Sequence, residues 1–220
     1  TDAIIQEMLY QGKDIIDARN GGASGCIETG AFGKEAYFLT GYFNFSKILE
    51  LTVNNGYDHR TDKQIGPKTG NANQFSSYED LLQAYKTQLE YFVNIKIQGN
   101  NTIERIFSNN LPVPFLSLII DDCITSGVDY NSGGAKYNTS YIQGVGTGTT
   151  TDGLAAIKHH VFEEKNFTMQ ELIKALQDDF KGHDDLHFKL VYESPKYGND
   201  DDKADDILND IFTAFYDSVN

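Results

Sequence analysis

The sequence predicts a helix-rich α/β segment with short strands between the helices. Three observations carry that reading. Apolar residues recur at helical spacing along most of the chain, two Ser/Thr-x-x-Glu signatures open such stretches, and glycine-rich loops separate them from short extended runs. No repeat of fixed period stands out.

Residues 1 to 18 place Ile4, Ile5, Met8, Leu9, Ile15 and Ile16 at helical spacing, with a break near Gly12. Residues 19 to 33 read as a glycine loop holding a short extended piece. Residues 34 to 54 return to helical spacing through Tyr37, Phe38, Gly41, Tyr42, Phe45, Ile48, Leu49 and Leu51. A polar, turn-rich excursion covers 55 to 75. Ser76-x-x-Glu79 then reads as a capping box, opening a helix with Leu81, Leu82, Tyr85, Leu89, Phe92 and Val93 on one face. Pro112 and Pro114 delimit a helix from Phe115 to Thr125, which Gly127 ends. Residues 127 to 151 are irregular, with a strand candidate at "SYIQGVG". Asp152 is placed to cap a helix through Glu164, and Thr168-x-x-Glu171 opens another that stops near Gly182. "LHFKLVYE" (186 to 193) reads as a strand, and 205 to 219 as a final helix.

With 220 residues, 40% of them hydrophobic and 12% aromatic, the chain can bury a sizeable core. Its formal net charge of -14 repels phosphate backbones and anionic lipid, which argues against nucleic-acid and membrane-surface partners. The longest apolar run, "FLSLII" (115 to 120), falls far short of the roughly 18 residues that cross a bilayer. Two cysteines in different settings, Cys26 in a glycine loop and Cys123 in an apolar run, point to a reduced, cytoplasmic protein without a disulfide framework. The first residue, Thr1, and the last, Asn220, both fall within periodic stretches. The expectation is therefore a fragment of a longer polypeptide.

The chemistry centres on "GGASGCIETGAFGKEAY" (21 to 37). In extended backbone, residues two apart project to the same side, so Cys26 and Glu28 can address one small molecule together. Gly22, Gly25 and Gly30 permit turns and close backbone approach. The structural alternative is a glycine turn that holds a buried cysteine. A carboxylate beside a thiol raises the thiol pKa by like-charge repulsion. That disfavours an ordinary thiolate nucleophile and leaves hydrogen-atom chemistry through a neutral thiol.

Other candidates are weaker. "GVGTGTTTDG" (144 to 153) lacks the Lys-Ser/Thr ending of a phosphate loop and reads as a strand-to-helix turn. "HDDLH" (183 to 187) offers metal-binding side chains, but it follows a glycine helix stop and reads as a solvated loop. "GNDDDKADD" (198 to 206) lacks the glycine and distal glutamate of a calcium loop and reads as an acidic helix lead-in. Of His159 and His160, one is expected to pack and the other to face solvent. No metal is expected in the chain.

"SGCIETGAFGKEAYFLTGYFNFSKILELTVNNG" (24 to 56) resembles the cysteine-loop region of glycyl radical enzymes, a pyruvate formate-lyase-like family. "FLSLIIDDCITSGVDYNSGGAKYN" (115 to 138), "IQGVGTGTTTDGLAAIK" (142 to 158) and "YGNDDDKAD" (197 to 205) are similar to further segments of that family. The resemblance implies part of a ten-stranded β/α barrel, with residues 1 to 220 as a single segment of its cysteine-loop half. It implies a glycyl radical on a residue outside this chain, since no Arg-Val-Ser-Gly-Tyr-like motif occurs here. It further implies an activating enzyme that uses an iron–sulfur cluster and S-adenosylmethionine, a small-molecule substrate, and a homodimer when full-length.

Cys-x-Glu is similar to the dehydratase and decarboxylase branches, and Ile27 departs from the adjacent cysteines of the pyruvate formate-lyase branch. Thr29 stands where choline and glycerol lyases usually carry proline. The resemblance is nearest to the branch that removes water from trans-4-hydroxy-L-proline to give pyrroline-5-carboxylate. It implies Cys26 as the thiyl radical and Glu28 as the acid or base. Tyr42 is the candidate for contacting substrate, against a core-aromatic alternative. Another glycyl radical lyase acting on choline, glycerol or propanediol, an arylacetate decarboxylase, and a non-catalytic partial copy or subunit are the competing readings.

Overall fold

A computed structural model describes residues 2–25 and 28–219. The chain opens with α1 (Asp2–Tyr10), α2 (Ile15–Arg19), β1 (Gly22–Ser24), β2 (Glu28–Gly30) and β3 (Glu35–Asn44). Then come α3 (Phe45–Val53), β4 (Tyr57–Asp58), β5 (Lys63–Gln64), α4 (Tyr78–Asn110), α5 (Pro114–Ile119), α6 (Cys123–Ser126) and β6 (Tyr137–Val145). The last helices are α7 (Thr147–Ile157), α8 (Met169–Gln177), α9 (Asp184–Phe188) and α10 (Asp202–Val219). Among the described residues strands pair two by two: β1 with β2, β3 with β6, and β4 with β5.

The chain forms two compact units, each made of two stretches: Thr1–Tyr42 with Gln98–Gln143, and Phe43–Ile97 with Gly144–Asn220. In the first, Ala36, Cys123 and Ala135 form a buried cluster against Phe38, Ile120 and Tyr130. Cys123 is a free thiol there. In the second, α7 packs chiefly against α10. Leu154, Ile207 and Ile211 are buried, and Phe45 meets Phe215 at 5.0 Å between ring centroids.

Several helical features follow from local sequence. Gly12 takes φ +81° between α1 and α2, a backbone that suits glycine. Thr168 caps α8 in a capping box with Glu171. Gly127 caps α6 at φ +65°. Asp202 and Asp205 occupy the first turn of α10, as the macrodipole favours.

Other expectations are corrected. Residues 35–44 are strand, not helix: Ala36 and Phe38 face the buried cluster while Tyr37 stacks on Tyr141, which is the two-residue period of a strand. The cap of α4 sits one residue later than Ser76-x-x-Glu79. Asp80 accepts from the backbone of Ser76 and Ser77, and Ser77 Oγ accepts from the Asp80 N–H. The run 115–125 breaks into α5 and α6, with Asp122 at φ +75° between them. Asp152 lies inside α7 rather than capping it, and accepts from Tyr197 N–H instead. Residues 186–193 are helical, because the run continues α9 instead of finding a strand partner. Among the described residues no helix is long and apolar enough to cross a membrane.

Candidate active site

The glycine-rich stretch folds as a hairpin within the first unit. β1 and β2 run antiparallel, with Gly22 opposite Gly30, Ala23 opposite Thr29 and Ser24 opposite Glu28. Gly25 opens the turn at φ +56°. Cys26 and Ile27 lie outside the described residues.

Glu28 is half-buried at the tip. Its carboxylate folds back over the turn, so a Cβ on Gly25 would stand 2.5 Å from Glu28 Oε2. The left-handed backbone of Gly25 is one that glycine adopts without strain.

The outer edge of β2 is held by side chains. Tyr141, half-buried on β6, donates its hydroxyl to the carbonyl of Thr29 at 2.7 Å. The N–H of Ala31 donates to Glu35 Oε2 at 2.8 Å. Glu35, on β3, is 1% exposed and pairs with Lys13, itself 5% exposed, at 2.9 Å. Thr139 Oγ1 adds a hydrogen bond to Glu35 Oε1 at 2.5 Å. A buried ion pair is tolerated when further donors fill its remaining lone pairs, as here.

Gly30 sits beneath this group. A Cβ there would run into the Tyr37 hydroxyl and stand 2.5 Å from Glu35 Oε2. Tyr37 stacks on Tyr141 with ring centroids 5.9 Å apart and planes 16° from parallel. Burial, followed by the charge of Glu35, pushes the Tyr37 phenol up to about 12. Burial also raises Tyr141, with Glu35, Tyr37 and Glu28 adding to it. Both phenols therefore stay protonated at neutral pH, and Tyr141 donates its proton to Thr29 O.

A second ion cluster braces the unit. Asp17, buried on α2, accepts from Lys34 and Lys136 at 2.6 Å each and from the Tyr137 hydroxyl at 2.8 Å. The hydrogen bonds from Lys136 and then Lys34 hold its carboxyl well below the usual range.

Tyr42 stands on β3, 63% exposed, so it is neither on a helix nor a core aromatic. At about 3.3 Å per residue it lies roughly 16 Å along the strand from Tyr37. Spacing gave no hint of Lys13, Glu35, Tyr37 or Tyr141. Glu35, Tyr37 and Tyr141 come together through the pairing of β3 with β6, which joins residues about a hundred positions apart.

Around the hairpin stand two carboxylates, Glu28 and Glu35, and two protonated phenols, with the Lys13 charge matched by Glu35.

The weaker candidates resolve in the second unit. Gly146, at φ +77°, caps α7 in a strand-to-helix turn and accepts from Ser46 Oγ at 3.1 Å. In "HDDLH", His183 pairs with Asp178 at 3.0 Å and His187 packs on Phe180. Among the described residues no three metal-ligating side chains converge. His160 is 1% exposed; its Nδ1 accepts from the Asn166 amide at 2.8 Å, which leaves Nε2 to donate to Lys189 O at 3.2 Å. His159 is half-buried rather than solvent-facing.

Residues 1–220 match the family model described as pyruvate formate lyase-like. The chain is 56% identical over 219 residues to trans-4-hydroxy-L-proline dehydratase of Clostridioides difficile, covering 100% of this chain and 28% of that protein. The structure of hydroxyproline dehydratase from the same organism, with trans-4-hydroxy-L-proline bound, matches with a TM-score of 0.94, covering 99% of this chain and 28% of that one. The glycerol-bound form of the B12-independent glycerol dehydratase from Clostridium butyricum matches with a TM-score of 0.92 at 38% identity, covering 100% of this chain and 28% of that one. The chain thus spans just over a quarter of the length of these relatives. The expected helix-rich α/β piece of this enzyme type is borne out. A match along its whole length places the chain in the pyruvate formate lyase-like family.

Proposed function

We propose that this chain carries the cysteine loop of a glycyl radical dehydratase that removes water from trans-4-hydroxy-L-proline and yields pyrroline-5-carboxylate. The 56% identity to a dehydratase of that substrate over the whole chain is the observation that carries this reading. The hairpin supports it, with Glu28 half-buried over the turn that leads into Cys26.

A glycyl radical on a residue outside this chain supplies the hydrogen-atom acceptor for the Cys26 thiol. The thiyl of Cys26 then takes a hydrogen atom from the ring carbon beside nitrogen, forming S–H and leaving a carbon radical. The neighbouring hydroxyl departs with a proton as water. Cys26 S–H returns its hydrogen atom to the product radical, so the sulfur ends as it began and the net change is loss of one water. Glu28 moves the proton in the elimination, at the tip where substrate meets the loop. Tyr42 offers an exposed phenol for contacting substrate. Cys26, Glu28 and Tyr42 thus form the site within one segment of the barrel. The full-length protein works as a cytoplasmic homodimer, and an iron–sulfur activating enzyme that uses S-adenosylmethionine installs the radical.

The test uses the full-length protein after anaerobic activation, with a panel of 4-hydroxyproline, choline, glycerol, propanediol and an arylacetate. Pyrroline-5-carboxylate is the expected product, lost in Cys26→Ser. Turnover by Cys26→Ser refutes the radical role, and turnover of another panel member alone refutes the substrate.

A further inference from the structure

We propose that Tyr141 and Glu35 are positioning residues of the cysteine loop, pinning the outer edge of β2 so that the hairpin tip keeps one register and one reach. The proposal rests on the dehydratase reading above and adds what holds the loop in place.

A hairpin with three residue pairs is marginal by itself. The carbonyl of Thr29 and the N–H of Ala31 point away from β1, where a third strand would satisfy them. Here a phenol from β6 and a carboxylate from β3 take that place. Both are themselves immobilised, Tyr141 by stacking on Tyr37 and Glu35 by Lys13 and Thr139. A slip of one residue would carry both backbone groups out of reach and turn Glu28 to the opposite face. The pins therefore select the register in which Glu28 and Gly30 share the face that meets Tyr37 and Glu35. Gly30 completes the fit, since a Cβ there would collide with both. Reacting groups tolerate little misplacement; an error of about 1 Å costs on the order of a hundredfold in rate.

The experiment compares three forms of the full-length protein: wild type, Tyr141→Phe and Ser140→Ala. Tyr141→Phe keeps the stacked ring and removes only the donor. Ser140→Ala removes a hydrogen bond from the neighbouring residue of the same strand, to Glu104 at 2.6 Å, which does not reach the hairpin. Amide hydrogen exchange over residues 21–37 needs no activation. Radical content by electron paramagnetic resonance, kcat and KM are read after anaerobic activation. Tyr141→Phe is expected to speed exchange at residues 28–31 about tenfold and to lower kcat about tenfold, with radical content and KM held within about twofold. Ser140→Ala is expected to match wild type in each. Wild-type exchange in Tyr141→Phe overturns the pin whatever the activity, as does a kcat that falls only in proportion to radical content. Inactive wild-type enzyme, or turnover by Cys26→Ser, defeats the dehydratase reading instead, and exchange alone then decides whether the pin exists.

Discussion

Gly30 shows how much one missing methyl group decides. The Tyr37 hydroxyl and the Glu35 carboxylate occupy the place where its Cβ would go, and Glu35 is held there by Lys13 and Thr139. Gly30→Ala is expected to destabilise the protein by about 1–3 kcal/mol, the usual range for an overpacked site, as read from denaturant unfolding. An unchanged midpoint would show that the clamp yields. Tyr37 carries a second prediction. Its phenol is pushed to about 12 from an ordinary 10.0. Above pH 10 the unfolded chain loses this proton first, while the native state keeps it. The contribution is complete below pH 10 and is lost as pH rises towards 12. Tyr37→Phe should flatten that part of the stability–pH curve, and an unaltered slope would assign the loss to other groups.

At the scale of elements, caps are the testable detail. The N-terminus of α4 is closed by Ser77 and Asp80, which exchange hydrogen bonds, and Asp80 also accepts from Ser76. Asp80→Ala should cost about 1 kcal/mol of stability, whereas Glu79→Ala should change it by less than about 0.5 kcal/mol. Equal effects would return the cap to the register that sequence pattern suggested. The strand β3 teaches the same lesson on a larger scale. Its aromatics satisfy a helical count as well as an alternating one, and pairing with β6 chooses between them.

Across the whole molecule, acid stability rests on a buried carboxylate in each unit. Asp17 is held low chiefly by hydrogen bonds from Lys136 and Lys34. Asp58 is held near 2, against an ordinary 3.8, first by Lys47 and then by Thr61. Both folded-state values lie below the unfolded ones, so their stabilisation is present above about pH 4 and fades as pH falls towards 2. Asp58→Asn should reduce the steepness of acid unfolding in that window, followed by circular dichroism. An identical acid limb in the variant would place the sensitivity elsewhere. The same chain carries a net charge of -14, and protonation of its carboxylates relieves that repulsion over the same range. The variant therefore isolates the ion pair from the bulk charge effect.

Local signals single out the loop proposed here as the functional one. A cysteine framed by glycines, an acid two residues later, a Thr-x-x-Glu cap and an acidic helix start all act through neighbouring backbone, so sequence alone determined them. Distance in the chain hid the rest. Tyr141 reaches Thr29 across 112 residues and Thr139 reaches Glu35 across 104. No periodicity records such meetings, because they arise when two strands pair and their side chains fall on one face. Only the tertiary structure could decide that the edge of the cysteine hairpin is closed by a phenol and a buried carboxylate instead of a third strand.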